Sequence, residues 1–217
     1  MTISGDFDKN VFINCPFDDD YKPLLRSILF TILYMGYNPR IGLERFDSGE
    51  TRFHKICELI HECKYGIHDL SRIQASEEGE YYRLNMPFEL GLDIGCRVFK
   101  GKEWASKQHL ILEKEQFRYQ KALSDLANSD IKAHQNKPRE IIRQIRHWFV
   151  ENNNIKAASP STIWYNFNDF MKDFDDKRRQ EGFNQDDIFN MPVREYTGYI
   201  KDWLKNTNEF LPESMTH

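Results

Sequence analysis

The stretch 83–92 brings a carboxylate, small residues and a helix start together. Pro87 has a fixed φ and lacks an N–H, so it suits the first turn of a helix. Glu89 is expected to follow within that turn, where the helix dipole favours a negative charge. Gly91 and Gly95 lie one turn apart, so this face of the helix is expected to approach a sheet closely. Glu89 is thus a candidate for catalysis, and on these spacings alone it could equally be a helix-capping residue.

Polar residues also follow three predicted parallel strands, and the binding crevice of such a sheet lies beyond the C-terminal ends of its strands. The three loops carry Asn14, Pro16, Phe17 and Asp18; then Arg45, Asp47, Ser48 and Gly49; then Asp69, Ser71 and Arg72, with Tyr81 and Asn85 before Glu89. Carboxylates, hydroxyls and amides together suit cleavage of a glycosidic bond, in which a carboxylate is the nucleophile or stabilises an oxocarbenium-like centre. An aromatic ring, from Phe17, Tyr81 or Tyr82, would stack on a base.

Each candidate also has a purely structural interpretation. Asp69 could bind ribose or cap a turn, and Asn14 could touch a ligand or hold its own loop by hydrogen bonds. Arg72 and Arg83 could meet phosphates, although solvated loop arginines are commoner. His68 is expected to be a buried sheet histidine rather than a catalytic base, and the tyrosine pair could simply fold its long loop back.

The elements that position these residues follow from hydrophobic periodicity. Short apolar runs predict strands, apolar residues at helical spacing predict helices, and the two alternate along the chain. The predicted strands are Val11–Cys15, Pro39–Glu44, Tyr65–Ser71 and Gln108–Glu113, with an edge strand within 130–134. The pattern predicts an α/β fold: a flavodoxin-like, doubly wound, mainly parallel five-stranded sheet flanked by helices. We place this domain at 1–153 and a C-terminal helical extension at 154–217, which packs on the sheet domain or on a second subunit.

Composition excludes several classes of function. The chain has 217 residues and a formal net charge of -4, which argues against a nucleic-acid binder. No apolar run is long enough to span a membrane, and the acidic N-terminus lacks the features of a signal peptide, so we expect a cytoplasmic protein. The cysteines, at positions 15, 57, 63 and 96, lack metal-site spacing and are expected to be reduced and mostly buried, with no metal site. Dinucleotide, P-loop and serine-hydrolase motifs are absent from the sequence.

Several motifs carry a family resemblance. Val11–Asp18, Gly66–Ser71 and Asn85–Gly95 resemble the nucleoside 2-deoxyribosyltransferase family and its relatives, the TIR domains. More specifically, the chain is similar to a group of bacterial TIR-like proteins marked by FINCPFD, DSGE, GIHDLSR and NMPFELGLD, with a last shared segment at 124–134. These motifs span roughly residues 11–150.

The resemblance implies a function for this chain. Glu89 matches the family's catalytic Glu and Asp69 the ribose-binding Asp, while Met86-Pro87-Phe88 departs from the Gly-Thr that precedes the transferase Glu. The implied activity is that of a nucleotide N-glycosidase that cleaves the base–ribose bond of NAD or a related nucleotide, in bacterial anti-phage defence. NAD would be substrate, with no cofactor required. A homo-oligomer and a partner defence protein are also implied. The alternative is a non-catalytic nucleotide-signal sensor or adaptor on the same fold.

Overall fold

A computed structural model describes residues 6–44, 49–73, 83–116, 123 and 130–208 of the chain. Five parallel strands form one sheet in the order β2-β1-β3-β4-β5. They are β1 Asn10–Asn14, β2 Asn38–Ile41, β3 Tyr65–Asp69, β4 Gln108–Glu113 and β5 Lys132–Ala133. This is the strand order of flavodoxin-like proteins, and it confirms the predicted fold class, including the short edge strand.

Helices cover both faces of the sheet. Those of the described residues are α1 Lys22–Tyr34, α2 Arg52–His61, α3 Asn85–Lys100, α4 Pro138–Asn153, α5 Pro160–Gln180, α6 Gln185–Phe189 and α7 Val193–Asn208. Successive residues of a strand point to opposite faces, so Val11 and Ile13 pack in the core formed with α1 and α4. Phe12 instead packs on Ile56 and Leu59 of α2. Within the described residues, no helix is long and apolar enough to cross a membrane.

The C-terminal helices pack on α1 of the same chain. The ring of Phe30 lies 5.4 Å from that of Phe167 and stacks at 5.6 Å on that of Phe170, both on α5. From α7, Tyr196 contacts Phe174 edge to face at 5.2 Å. The aromatic residues of the extension therefore serve packing within the chain, and they continue the core on the α1 side of the sheet.

Helix α3 differs from the prediction in two respects. It begins at Asn85, so Glu89 is its fifth residue, and its first turn contains no acidic side chain. The capping interpretation of Glu89 is therefore wrong. The expectation for the two glycines is also wrong. A Cβ added at Gly91 would meet no atom within 4 Å, and one at Gly95 would meet only the ring of Phe99. The residues that α3 buries are Met86, Glu89, Leu90 and Asp93, rather than the glycines.

Candidate functional site

The predicted site lies where the strand order reverses, between β1 and β3. Asn14 and His68 are paired across these two strands at their C-terminal ends. In a doubly wound sheet the two loops that leave such a pair diverge to opposite faces, which opens a crevice. Helix α3 begins above this point, and Asn14 donates a 2.8 Å hydrogen bond to the carbonyl oxygen of Met86 in its first turn. The end of β1 thereby fixes the helix that carries Glu89.

Glu89 is a largely buried carboxylate with a cationic neighbour. The residue is 6% exposed, and its Oε1 lies 3.4 Å from Nη2 of Arg52, the first residue of α2. Burial raises the pKa of Glu89 above its ordinary value, and the charge of Arg52 opposes this only in part. The Arg52 side chain is itself 55% exposed, so much of its charge is screened by solvent. Glu89 is thus an incompletely compensated buried acid, as catalytic carboxylates often are.

Replacing Arg52 by methionine should raise the pKa of Glu89 further. The variant keeps an unbranched side chain but removes the positive charge that favours the ionised carboxylate, while the burial that disfavours it remains. The measurement is a titration of the Glu89 side-chain carbon by nuclear magnetic resonance. Arg52→Lys, which keeps the charge, is the control and should shift the titration less. An unchanged titration in Arg52→Met would show that the pair is not electrostatically coupled.

Asp69 lies at the end of β3 and has no solvent exposure. Tyr21 donates a 2.5 Å hydrogen bond to Oδ2, and the backbone N–H of Ser71 donates one of 2.8 Å to Oδ1. Nε2 of His134, just beyond β5, lies 3.1 Å from Oδ2. Burial would raise the pKa of Asp69, but these contacts outweigh it and lower the pKa, so the carboxylate is ionised. The carboxylate ties three segments together and offers no exposed oxygen to a ribose, whose binding here stays a prediction.

Asn14 belongs to a buried polar chain rather than to an open surface. Its side-chain amide also donates to Nδ1 of His68 at 3.1 Å, and the other ring nitrogen of His68 lies 3.0 Å from Oδ2 of Asp93. The pKa of His68 is lowered, chiefly by burial. A neutral ring that accepts from Asn14 at Nδ1 and donates to Asp93 at Nε2 satisfies both contacts. The expectation that His68 is a buried sheet histidine is confirmed.

Asp93 is the centre of this buried polar network, and it was not among the residues predicted from the sequence. Its Oδ1 lies 3.0 Å from Nζ of Lys107 and 3.4 Å from Nε2 of His109, and all three residues are almost fully buried. Burial would raise the pKa of Asp93, but His109, His68 and Lys107 together lower it strongly. Lys107 in turn donates to the carbonyl oxygens of Ile60 in α2, at 2.8 Å, and of Cys63, two residues beyond that helix. This network of buried polar side chains therefore fixes α3 to the sheet and to α2.

Gly66 makes room for this arrangement in the middle of β3. A Cβ there would overlap Oδ2 of Asp93 and would lie 2.7 Å from Nε2 of His68. A glycine inside a strand marks a close approach of this kind. Together with His68 and with His109 on the neighbouring strand, it was the sequence signal from which a buried polar partner could have been inferred.

Gly66→Ala should therefore destabilise the protein by about 3 kcal/mol, the upper part of the usual range for overpacking. The methyl group would push a buried charge off its partners. Urea unfolding measures the change, and Gly198→Ala on α7 is the matched control. A Cβ at Gly198 would meet no atom within 4 Å, so the same substitution there should stabilise by up to about 1 kcal/mol. Equal effects at the two glycines would contradict the close approach of Asp93 to β3.

Asp18, in the loop after β1, joins the two arginines of the candidate site. Its carboxylate lies 2.5 Å from Nη2 of Arg83 and 3.6 Å from Nε of Arg72. The Asp18 carboxylate, in the loop after β1, thus contacts both Arg72 in the loop after β3 and Arg83, two residues before α3. The side chains of Arg72 and Arg83 are still 38% and 52% exposed, and a phosphate role for them stays a prediction.

The remaining candidates are placed differently from one another. Pro16 and Ser71 are buried, whereas Gly49 and Asn85 are exposed. The half-buried Phe17 lines a cavity of about 300 Å³ between α1 and the segment 189–196, so its ring packs toward the C-terminal helices. Stacking of Phe17 on a base stays a prediction. Arg45, Asp47, Ser48, Tyr81 and Tyr82 lie outside the described residues.

The fold and the site together define a flavodoxin-like α/β protein. It carries the buried Glu89 beside its topological switch point. A separate buried network, centred on Asp93, lies between α3 and the sheet. The described residues contain no group of three or more His, Cys, Asp or Glu side chains that could hold a metal ion. No family model, curated protein or solved structure matches the chain.

Proposed function

We propose that the protein is an N-glycosidase that cleaves the base–ribose bond of NAD or a related nucleotide, with Glu89 as the catalytic carboxylate. The observation that carries the proposal is the state of Glu89: it is 6% exposed, its pKa is raised by burial, and its contact to Arg52 is long, at 3.4 Å. The motif resemblance supplies the substrate class.

The chemistry follows from this incomplete compensation. A buried carboxylate with a weak counter-charge is costly when ionised, and it gains most from a positive charge that develops beside it. Loss of the base from a ribosyl group creates such a charge at the anomeric carbon, as an oxocarbenium-like centre. Glu89 would stabilise this centre electrostatically or attack it as a nucleophile. The interaction is strongest in the transition state, which is the condition for acceleration.

The other residues of the site have positioning roles in this proposal. Asn14, His68 and Asp93 hold the first three turns of α3 against the sheet, and so fix the carboxylate. Asp18 holds Arg72 and Arg83 at the mouth of the crevice, where the pyrophosphate of a dinucleotide could compete for them. The proposed setting is anti-phage defence by NAD depletion or signal production, with a partner defence protein.

The test is incubation of the protein at several concentrations with NAD and a panel of nucleosides and nucleotides, followed by mass spectrometry. We expect one of them to lose its base, and the second product distinguishes hydrolysis, transfer and cyclisation. An intact panel at every protein concentration would contradict the proposal.

A second candidate function is a non-catalytic nucleotide sensor or adaptor. It is favoured by Asp69, because a carboxylate buried against Tyr21, Ser71 and His134 could not act on a substrate beside Glu89. Isothermal titration calorimetry with the same panel tests it. Tight binding of a nucleotide that is recovered unchanged would favour the sensor over the enzyme.

A further inference from the structure

Helix α3 presents an apolar face to solvent. The four large side chains of this face are exposed by 65% at Leu84, 55% at Phe88, 63% at Val98 and 89% at Phe99. Gly91 and Gly95 lie between them, and neither glycine touches another element of the fold. Residues three and four apart lie on one side of a helix, so these positions form one continuous stripe, roughly 22 Å long at 1.5 Å per residue. We call it the α3 outer face.

Helix α3 is apolar on two sides. Its inner side buries Met86 and Leu90 together with Glu89 and Asp93. A surface helix normally exposes charged residues opposite its buried apolar stripe, whereas the outer side of α3 carries large apolar residues. Phe53 of α2, 49% exposed, extends the α3 outer face, since its ring centroid lies 6.2 Å from that of Phe88. Contiguous exposed apolar surface of this kind marks an interaction site.

The pattern of this face is self-complementary. The two glycines sit near the middle of α3, and large apolar residues lie toward both ends: Phe88 and Leu84 on one side, Val98 and Phe99 on the other. In an isologous dimer the same patch meets itself about a two-fold axis, so each residue contacts its counterpart from the opposite end. Glycines at the axis let two backbones approach closely, and the flanking side chains then pack beyond the crossing point.

We propose that the α3 outer face is a homodimer interface, in which α3 packs antiparallel on α3 of a second copy with Gly91 and Gly95 at the crossing. A second copy fits better than a different partner because the α3 outer face carries no charged side chain. An uncharged face selects no acidic or basic partner, and it pairs with itself without like-charge repulsion. The nearby cations Arg97 and Lys100 lie off the stripe.

A charge placed on the stripe should separate the copies. Phe99→Glu changes the most exposed residue of the stripe, so the monomer fold should persist, and burial of two carboxylates across the interface should weaken the dimer at least tenfold. Sedimentation velocity over a range of protein concentrations measures this. Tyr165→Glu is the matched control, since Tyr165 is a 67% exposed aromatic residue on α5 and lies off this face. The control should dimerise like the wild type.

Cysteine cross-linking then tests the orientation. In an antiparallel pair, Leu84 of one copy meets the region of Phe99 of the other. A mixture of Leu84→Cys and Phe99→Cys proteins should therefore form disulfide-linked heterodimers, whereas each variant alone should cross-link no more than the wild type, whose own cysteines provide the background.

A wild type that stays monomeric at every concentration would overturn the proposal, as would a dimer that Phe99→Glu leaves intact. Cross-linking of each single-cysteine variant with itself, and not of the mixture, would overturn the antiparallel arrangement. These readouts are molecular mass and covalent linkage. They stand or fall independently of whether the protein cleaves a nucleotide.

Discussion

Asp93→Asn is expected to lower the free energy of unfolding by about 3–5 kcal/mol, the usual cost of removing one partner from a buried ion pair. The substitution keeps the shape of the side chain but leaves the ammonium of Lys107, 1% exposed and 3.0 Å from Oδ1, without its counter-charge. Domains are stable by only about 5–15 kcal/mol in total, so the variant should be close to unfolding. Urea unfolding followed by circular dichroism measures the loss.

Two controls isolate the ion pair. Asp169→Asn makes the same change on the exposed surface of α5 and should alter stability by no more than about 0.5 kcal/mol. Combining Asp93→Asn with Lys107→Met should cost less than the sum of the two single changes, because the second removes the charge that the first leaves unpaired. Strict additivity would contradict a direct interaction between Asp93 and Lys107.

The pH dependence of stability provides a further check on Asp93. Its pKa in the folded protein is depressed below the ordinary value, so its contribution to stability is fully present above the unfolded pKa of about 4. That contribution is lost as the pH falls through the folded pKa. Wild type should therefore lose stability below about pH 4 more steeply than Asp93→Asn.

Glu89→Gln is expected to reduce the rate of base release about a thousandfold. The amide keeps the size of the side chain but cannot carry the negative charge that stabilises an oxocarbenium-like centre, and loss of one such electrostatic contact typically costs a factor of about 10²–10³. The fold should not suffer, since the pKa of Glu89 is raised by burial and a neutral side chain there avoids the same cost. Initial rates at saturating nucleotide measure the effect.

Glu103→Gln, on the exposed segment after α3, is the matched control for the Glu89 variant. It removes the same charge from the surface and should leave both the rate and the stability unchanged. If Glu89→Gln unfolds more easily than this control, the loss of rate has a structural cause and Glu89 is part of the packing of α3.

The fold could be predicted because its signals are local. Short apolar runs and helical spacings identify β1, β3 and β4 to within about two residues, and their alternation with helices leaves few topologies. The switch point between β1 and β3 then follows from the strand order, and with it the loops that carry Asn14 and Asp69. The residues that follow a predicted strand are therefore also the residues expected to line the binding crevice.

The contacts of the site could not be predicted, because they join distant parts of the chain. Two side chains that contact Asp69, those of Tyr21 and His134, are more than 100 residues apart in the sequence. No spacing in the sequence relates them to Asp69. Such contacts give Asp69 a structural role, and its binding of ribose stays a prediction. An acidic residue at a strand end is equally consistent with either role until its partners are known.

The first residue of α3 and the face that it buries also differ from the sequence prediction. Pro87 marks a helix start, but the helix begins at Asn85, two residues earlier. Glycines usually permit close packing, so Gly91 and Gly95 were expected to face the sheet. Instead α3 turns Met86, Glu89, Leu90 and Asp93 inward, and Asp93 pairs there with Lys107, which is distant in the sequence.

The most direct test of the central claim is base release by wild type and Glu89→Gln protein, compared at equal concentration on the same nucleotide. The released base is read by mass spectrometry, and equal unfolding curves establish that both proteins are folded. We expect release by the wild type and almost none by the variant. Equal rates from two folded proteins would contradict it and would remove Glu89 from the chemistry.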